Sequence, residues 1–344
     1  MGSPTTPLAA TDAHSTVLVT GGAGYIGSHA AKALRQAGHE VVIYDNLSAG
    51  HREASLGAPL IVGDIGDVDA VRRALRESRA TSVMHFAAWL AVADSVTDPA
   101  GYYRNNVTGT LGTLEAMALE GVKHFVFSST CAVYGEPKEV PLHEELPTAP
   151  INAYGQTKLA IEQALPHFER AYGVRSIRLR YFNAAGADPD GELGEDHAPE
   201  VHVIPRAFEA AIAGAPMYIF GEDYPTPDGT CLRDYIHVTD LADAHVRALA
   251  HLERGGASAS YNAGTERPSS VRQVIDTVEK VTGKKVNRVS APRRPGDPAV
   301  LYASAKKIRA DLGWVPQRAD LETIVADAWR WHTSHPHGFR STAR

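Results

Sequence analysis

The sequence predicts an α/β protein, a Rossmann-type doubly wound parallel sheet with a smaller mixed α/β substrate-binding region. Three observations predict it. Between Thr16 and Tyr181, short apolar runs rich in Val, Ile and Phe alternate with longer segments of helical periodicity, the pattern of a parallel sheet covered on both faces. The first run opens directly onto a glycine-rich turn. An aspartate closes the second run about 20 residues later, the spacing of a dinucleotide-binding unit.

In order, TVLVT (16–20), EVVIY (40–44), PLIVG (59–63), SVMHFAA (82–88), HFVFSS (124–129) and VRSIRLRYF (174–182) are the expected strands. They are nearly continuous in apolar residues because both their faces are buried. Of the intervening helices, 25–37 is ended by Gly38 and 99–120 by Gly121, residues that tolerate the left-handed conformation of a helix terminator. After Asn183 the texture turns Gly-, Asp- and Pro-rich, then continues in shorter mixed elements to about Trp331. The expected organisation is a tail over 1–14, an NAD-binding domain over 15–182, a substrate region over 183–335 and a second tail over 336–344. Ligands of such sheets bind in the crevice at the carboxyl ends of the strands, where the second region closes over them.

With 44% hydrophobic and 22% charged residues, the chain of 344 residues has the composition of an ordinary soluble globular protein. Its net charge of -6 offers no field for a polyanion, so no nucleic-acid partner is expected and any phosphate must be held by placed donors. Only two cysteines, Cys131 and Cys231, are present. They support neither a disulfide framework nor a clustered zinc site; no metal is expected, and a reducing cytoplasm fits. No run approaches the ~18 to 20 apolar residues of a spanning helix, so no membrane association is expected.

Gly21-Gly22-Ala23-Gly24-Tyr25-Ile26-Gly27 joins the first strand to the first helix. Gly21 and Gly24 permit a tight turn and close approach to a pyrophosphate, and Gly27 lets the helix pack near the sheet, its N-terminus facing the anion. Tyr25 and Ile26 are expected along the cofactor. Asp45, ending the second strand, is placed to bond the adenosine ribose; its charge and the absence of a following Arg (Asn46 comes next) favour NAD over NADP. Asp64, followed by Ile65, is the candidate adenine contact, or else caps the helix that starts near Val68.

Tyr154 and Lys158, four residues apart, are neighbours on one helix face. A phenol becomes a useful base when a cation beside it favours the phenolate, so the pair is suited to proton transfer. The run HFVFSSTCAVYG brings hydroxyls to the end of the preceding strand, with Thr130 the best candidate to hold a reacting oxygen and Ser128 or Ser129 as strand-end alternatives.

The ordered motifs TGGAGYIGSH, DNLS, GDI, HFAA, NNVTGT, SSTCAVYG, YGQTK, RYFNAAGA, DGTCLRDYIHV and APRRPGD closely resemble the extended short-chain dehydrogenases/reductases, and within them the UDP-glucose (UDP-galactose) 4-epimerases. The resemblance runs from about Thr16 to Trp331. It implies bound NAD, removal of the sugar 4-hydroxyl proton by Tyr154, hydride transfer from C4, rotation of the 4-keto sugar and hydride return to its other face. It further implies that Lys158 binds the nicotinamide ribose and tunes Tyr154, and that Thr130 holds the reacting oxygen. Phe86, Ala87, Ala88, Asn105, Ser128 and Tyr181 would contact cofactor, and Asn183, His202, Arg233, Arg294 and Asp297 would face the UDP-sugar. A homodimer through helices at about 100–120 and 152–172 is implied as well.

Two positions depart from the familiar pattern: Leu90 replaces a cofactor-contacting lysine, and His202 an asparagine near the substrate. UDP-glucose/UDP-galactose is the expected pair, with UDP-pentose or UDP-uronate 4-epimerisation as alternatives. A 4,6-dehydratase lacks its acid–base pair here, since Cys131-Ala132 follow Thr130, and a dinucleotide sensor would lack the Tyr/Lys pair. Leu301 aligns with the wall opposite the sugar 2-substituent and is expected to exclude N-acetylated sugars, unless it simply packs the core.

Overall fold

The computed structural model describes residues 15–294 and 297–339; the tail expected over 1–14 and the end of the second tail, 340–344, lie outside the described residues. Seven parallel strands form the central sheet. Their order across it is Ala259–Ala263, Arg175–Tyr181, His124–Ser128, Ser82–His85, Thr16–Thr20, Glu40–Asp45 and Leu60–Val62. Val17 stands beside Val41 on one flank and Ser82 on the other. Chain order reverses at Thr16–Thr20, and the crevice at that reversal is where α/β sheets bind ligands.

The β-branched and aromatic residues of these strands are buried because helices cover both faces. On one face the helices Tyr25–Gln36 and Val238–Glu253 pack together over Val17, Val19, Ile43 and Ile177. On the other, Val68–Ser78 packs against Gly109–Glu120 over Leu18, Val83, Phe125 and Phe127. The second region has its own core, in which Ile204, Phe208, Val274, Ile275, Ile324 and Val325 join three helices, Val203–Ala213, Val271–Thr282 and Leu321–Ser334.

Three features differ from the sequence expectation. The boundary after Phe182 is crossed, because Val238–Glu253 and the seventh strand, Ala259–Ala263, return to the sheet. That strand pairs with Arg175–Tyr181, which would otherwise expose an unpaired edge. Second, the helix expected over 99–120 is interrupted: Pro99–Tyr102 leads into a π-helical turn, Tyr103–Thr108, before Gly109–Glu120. Such a turn accommodates an inserted residue and re-aims side chains, here Asn105 and Asn106. Third, the described part of the second tail is docked: the Phe339 amide donates to Asp196 Oδ2 at 2.9 Å, and its ring packs on His51 and Trp331.

The second region is also tied to the first helix by charge. Lys32 Nζ, with its side chain only 14% exposed, donates to Asp188, Asp190 and Glu192 at 2.7, 2.8 and 2.7 Å.

Candidate active site

The glycine turn has space for backbone only. Gly21 has φ +70°, and a Cβ there would stand 2.5 Å from the Ala87 nitrogen; a Cβ on Gly27 would stand 2.1 Å from Gly21 O. Gly24 precedes the first turn of Tyr25–Gln36 and has no side chain to cap it, so the first amides of that helix are open to an external anion. Ile26 packs on the sheet core, while the Tyr25 hydroxyl crosses to donate to Gly186 O at 2.6 Å.

Asp45 lies at the carboxyl end of its strand, accepting from the amides of Ala23 and Leu47 at 2.9 and 2.8 Å. Burial raises its carboxyl above the usual range, against the pull of those two amides. Asn46 and Asp64 meet: the amide nitrogen of Asn46 donates to Asp64 Oδ2 at 2.8 Å. Asp64 does not cap the following helix. Asp67 does, accepting from Ala70 N, so the alternative reading of Asp64 is corrected by three residues. Ile65 is buried against Gly109, where a Cβ would stand 2.7 Å from its side chain.

After the fourth strand, the amides of Phe86 and Ala87 both donate to Thr20 O, holding the segment leading to Ala88 against the glycine turn. The Phe86 ring lies 4.7 Å from the His245 ring. The segment thus lies directly against Gly21, whose backbone approaches Phe86 and Ala87.

On the helix Ala153–Tyr172, Asn152 caps the first turn through Gly155 N, which fixes the helix phase just before the pair. Lys158 is buried, its ammonium donating to Ser128 O at 2.8 Å and lying 5.0 Å over the Phe127 ring. Burial pushes Lys158 down to about 7, with Glu162 opposing. The hydroxyls of Ser128 and Tyr181 share a short hydrogen bond. Thr130 caps the turn Cys131–Tyr134, accepting from Ala132 N at 3.2 Å.

Burial pushes the Tyr154 phenol well up, Tyr181 adds to this, and a hydrogen bond with Thr130 opposes it. Proximity to an ammonium therefore does not lower Tyr154 in the protein by itself. Lys158 spends its proton on a backbone carbonyl, and its own charge is disfavoured by the same burial.

On the substrate side, Asn183 donates through its backbone and side-chain amides to Asp234 O at 3.0 and 3.3 Å. Arg233 forms a short ion pair with Asp297, and the Arg294 guanidinium stacks 4.0 Å over the Phe220 ring. Leu301 stands in register with Arg233 on the neighbouring strand and packs against the buried cluster of Val133, Tyr134 and Phe182, as does Cys131, the residue after Thr130. His202 precedes the helix Val203–Ala213 as its cap residue.

Sequence reasoning missed two residues that hold this arrangement. Asn106, in the π turn, accepts from Trp89 N at 2.9 Å, donates to Trp89 O at 3.1 Å and reaches Thr157 Oγ1 at 3.2 Å. Glu162, one turn beyond Lys158, accepts from Ser129 at 2.5 Å and pairs with Arg180. A Glu four residues past a Lys was the signal available, but it reads as an ordinary surface pair on a helix.

Residues 17–264 match the family described as NAD dependent epimerase/dehydratase family. The chain belongs to this family. It is 52% identical, over 326 residues covering 94% of each chain, to the UDP-glucose 4-epimerase of Azospirillum brasilense. The UDP-glucose 4-epimerase of Brucella ovis, solved in complex with NAD, superposes with a TM-score of 0.90 at 47% identity, covering 92% of this chain and 98% of that one. The Bifidobacterium longum UDP-glucose 4-epimerase, solved with NAD+ and UDP, gives 0.88 at 37% identity and covers 94% and 100%. For this epimerase/dehydratase-family chain, the seven-stranded sheet, the backbone-only turn and the strand-end aspartate fit an NAD site. Among the described residues no helix is long and apolar enough to cross a membrane.

Proposed function

We propose that the chain is an NAD-dependent 4-epimerase of UDP-sugars, with UDP-glucose and UDP-galactose as its substrate pair. The observation that carries the reading is the meeting of Tyr154, Thr130, Ser128, Lys158 and Tyr181 at the strand ends beside the glycine turn. The similarity to proteins named UDP-glucose 4-epimerase along nearly the whole chain supports it. NAD supplies the acceptor and donor of the sugar C4 hydride. The turn opened by Gly21 and Gly24 and the first helical amides, those of Tyr25, Ile26 and Gly27, would hold its pyrophosphate, Asp45 and Asn46 its ribose, and Asp64 and Ile65 its adenine. Phe86, Ala87, Ala88, Asn105, Ser128, Lys158 and Tyr181 would surround the nicotinamide half.

Tyr154 takes the proton from the sugar 4-hydroxyl and returns it, and Thr130 holds the same oxygen. In the cofactor-free chain the phenol is protonated; with positive charge beside it, it would release that proton to solvent before the reaction, and the phenolate would then take the 4-hydroxyl proton and give the same proton back at the return step. Arg233, steered by Asp297, and Arg294 would grip the diphosphate as forked donors, with Asn183 and His202 beside the nucleotide sugar. Leu301 walls the sugar 2-position. A homodimer through Tyr103, Leu119 and Tyr172, exposed on the helices at 99–120 and 153–172, fits this reading, as do two free thiols in a reducing cytoplasm.

The test is a UDP-sugar panel. Interconversion of UDP-glucose and UDP-galactose is expected, with UDP-N-acetylglucosamine turned over ~10 to 200-fold less efficiently and gaining in Leu301→Gly. Equal kcat/KM for both sugars would remove Leu301 as a gate, and a preference for a pentose or uronic acid would replace the substrate pair.

A further inference from the structure

The loop before the helix Val203–Ala213 carries Glu195-x-His197-x-x-Glu200-x-His202, and the fold gathers all four side chains. One ligand atom from each lies within 4.8 Å of the others. Glu195 Oε1 stands 3.2 Å from His197 Nδ1 and 2.6 Å from His202 Nδ1; Glu200 Oε1 stands 3.1 Å from His202 Nδ1, and Glu200 Oε2 3.8 Å from His197 Nδ1. Bonds of about 2.1 Å around a tetrahedral ion put its ligands about 3.4 Å apart, which falls within that range.

The His202 ring is hydrogen-bonded to Glu200 Oε1 at 3.1 Å and ion-paired with Glu195 at 2.6 Å, so a bound ion would take the place of the proton on His202 Nδ1; two of the other converging atoms lack such a bond. The Glu195 and Glu200 side chains are only 8% and 6% exposed, yet Glu195 Oε1 and His197 Nδ1 are buried with no partner in hydrogen-bond geometry. Glu200 Oε1 is turned onto its own loop, accepting from the amides of Val201 and His202 at 2.7 and 2.8 Å, which leaves Oε2 toward His197. No Lys or Arg pairs with either glutamate among the described residues. The neighbouring acidic group makes the contrast: Asp188, Asp190 and Glu192 enclose the Lys32 ammonium, so that cluster already holds its cation.

We propose that Glu195, His197, Glu200 and His202 bind one divalent transition ion of the Zn2+ type in a closed four-ligand site. Two imidazoles and two carboxylates form a nitrogen–oxygen set suited to Zn2+, and four protein ligands leave no open position, which makes the ion structural. The cysteine count pointed away from a metal; this ligand set contains no cysteine. The ion would anchor the loop beneath the glycine turn, since the Tyr25 ring lies edge-on to His197 at 6.2 Å and its hydroxyl reaches Gly186 O. It would also fix the ring of His202 at the mouth of the substrate region. The inference does not depend on which sugar is bound.

The experiment uses the full chain, stripped with a chelator and titrated with Co2+ alone and then Zn2+ alone. Expected are one Co2+ per chain with the intense visible bands of four-coordinate cobalt, displacement of Co2+ by one Zn2+, and a higher melting temperature with either ion. His197→Gln should weaken Zn2+ binding at least about a hundredfold and change the cobalt spectrum, and Glu195→Gln should act in the same direction. If either variant fails to fold, the wild-type stoichiometry and cobalt spectrum still decide. A folded wild-type chain that takes up no Co2+ or Zn2+ would overturn the proposal, leaving an imidazolium–carboxylate network. Binding unchanged in both variants would place the metal elsewhere and overturn it equally.

Discussion

At the scale of single residues, burial governs the chemistry of the candidate site. Tyr154 is held as the phenol and Lys158 is brought to about 7, so neither has the charge state that spacing alone suggests. Tyr154→Phe removes only the hydroxyl and should fold, retain cofactor and lose at least about a hundredfold in turnover; near-normal turnover would discard the proton-transfer role. Lys158 gives a pH signature. Its folded value lies below the ordinary 10.5, so between about pH 7 and 10.5 the unfolded chain binds the extra proton, and folding stability rises with pH across that window. Cofactor-free Lys158→Met should lack this rise in denaturant unfolding measured from pH 7 to 10; parallel curves for the two proteins would contradict the burial effect. The types and spacing of Tyr154, Lys158, Asp45 and the glycines were legible because each belongs to a local motif. The direction of the phenol shift was not, because desolvation depends on what packs around a side chain.

At the scale of elements, the strands and the first helix follow the sequence reading to within one residue, except the fourth strand, which ends at His85, three residues before the expected 88; doubly buried strands leave a clear apolar run. The π turn at Tyr103–Thr108 was illegible because NNVTGT keeps ordinary helical spacing; within the turn Asn106 makes a tertiary bond to Trp89, which local spacing does not reveal. Asn106 thereby links the segment after Ala88 to the helix bearing Tyr154 and Lys158. Asn106→Ala leaves both backbone groups of Trp89 without this partner and should cost about 2 kcal/mol of stability, while weakening NAD retention. Denaturant unfolding and NAD titration check both; loss of stability with cofactor binding intact would confine Asn106 to a scaffold role.

At the scale of the whole molecule, the two regions are joined by more than the chain. Lys32 bridges three carboxylates of the second region and offsets part of their charge; two of them are half exposed or more, so solvent screens part of the interaction. Lys32→Met should cost about 1 to 3 kcal/mol, and added salt should recover part of the loss by screening the carboxylates from one another. An unchanged melting temperature at low ionic strength would show that packing alone unites the regions. This junction could not be read from the sequence, because its partners lie some 160 positions apart. The change in texture after Asn183 suggested a domain end, whereas it marks an excursion from which the chain returns.

That return has a consequence for synthesis. Strands from Thr16 to Tyr181 leave the ribosome in the order in which a sheet can grow, but Tyr181 finds its neighbour only when Ala263 has emerged. Until then the nascent chain displays an open hydrogen-bonding edge, with the Val238–Glu253 helix still missing from one face of the sheet. Chains stalled or truncated in that interval would present an adhesive ribbon to one another, so the last strand of the central sheet to be translated also guards the unfinished molecule against aggregation.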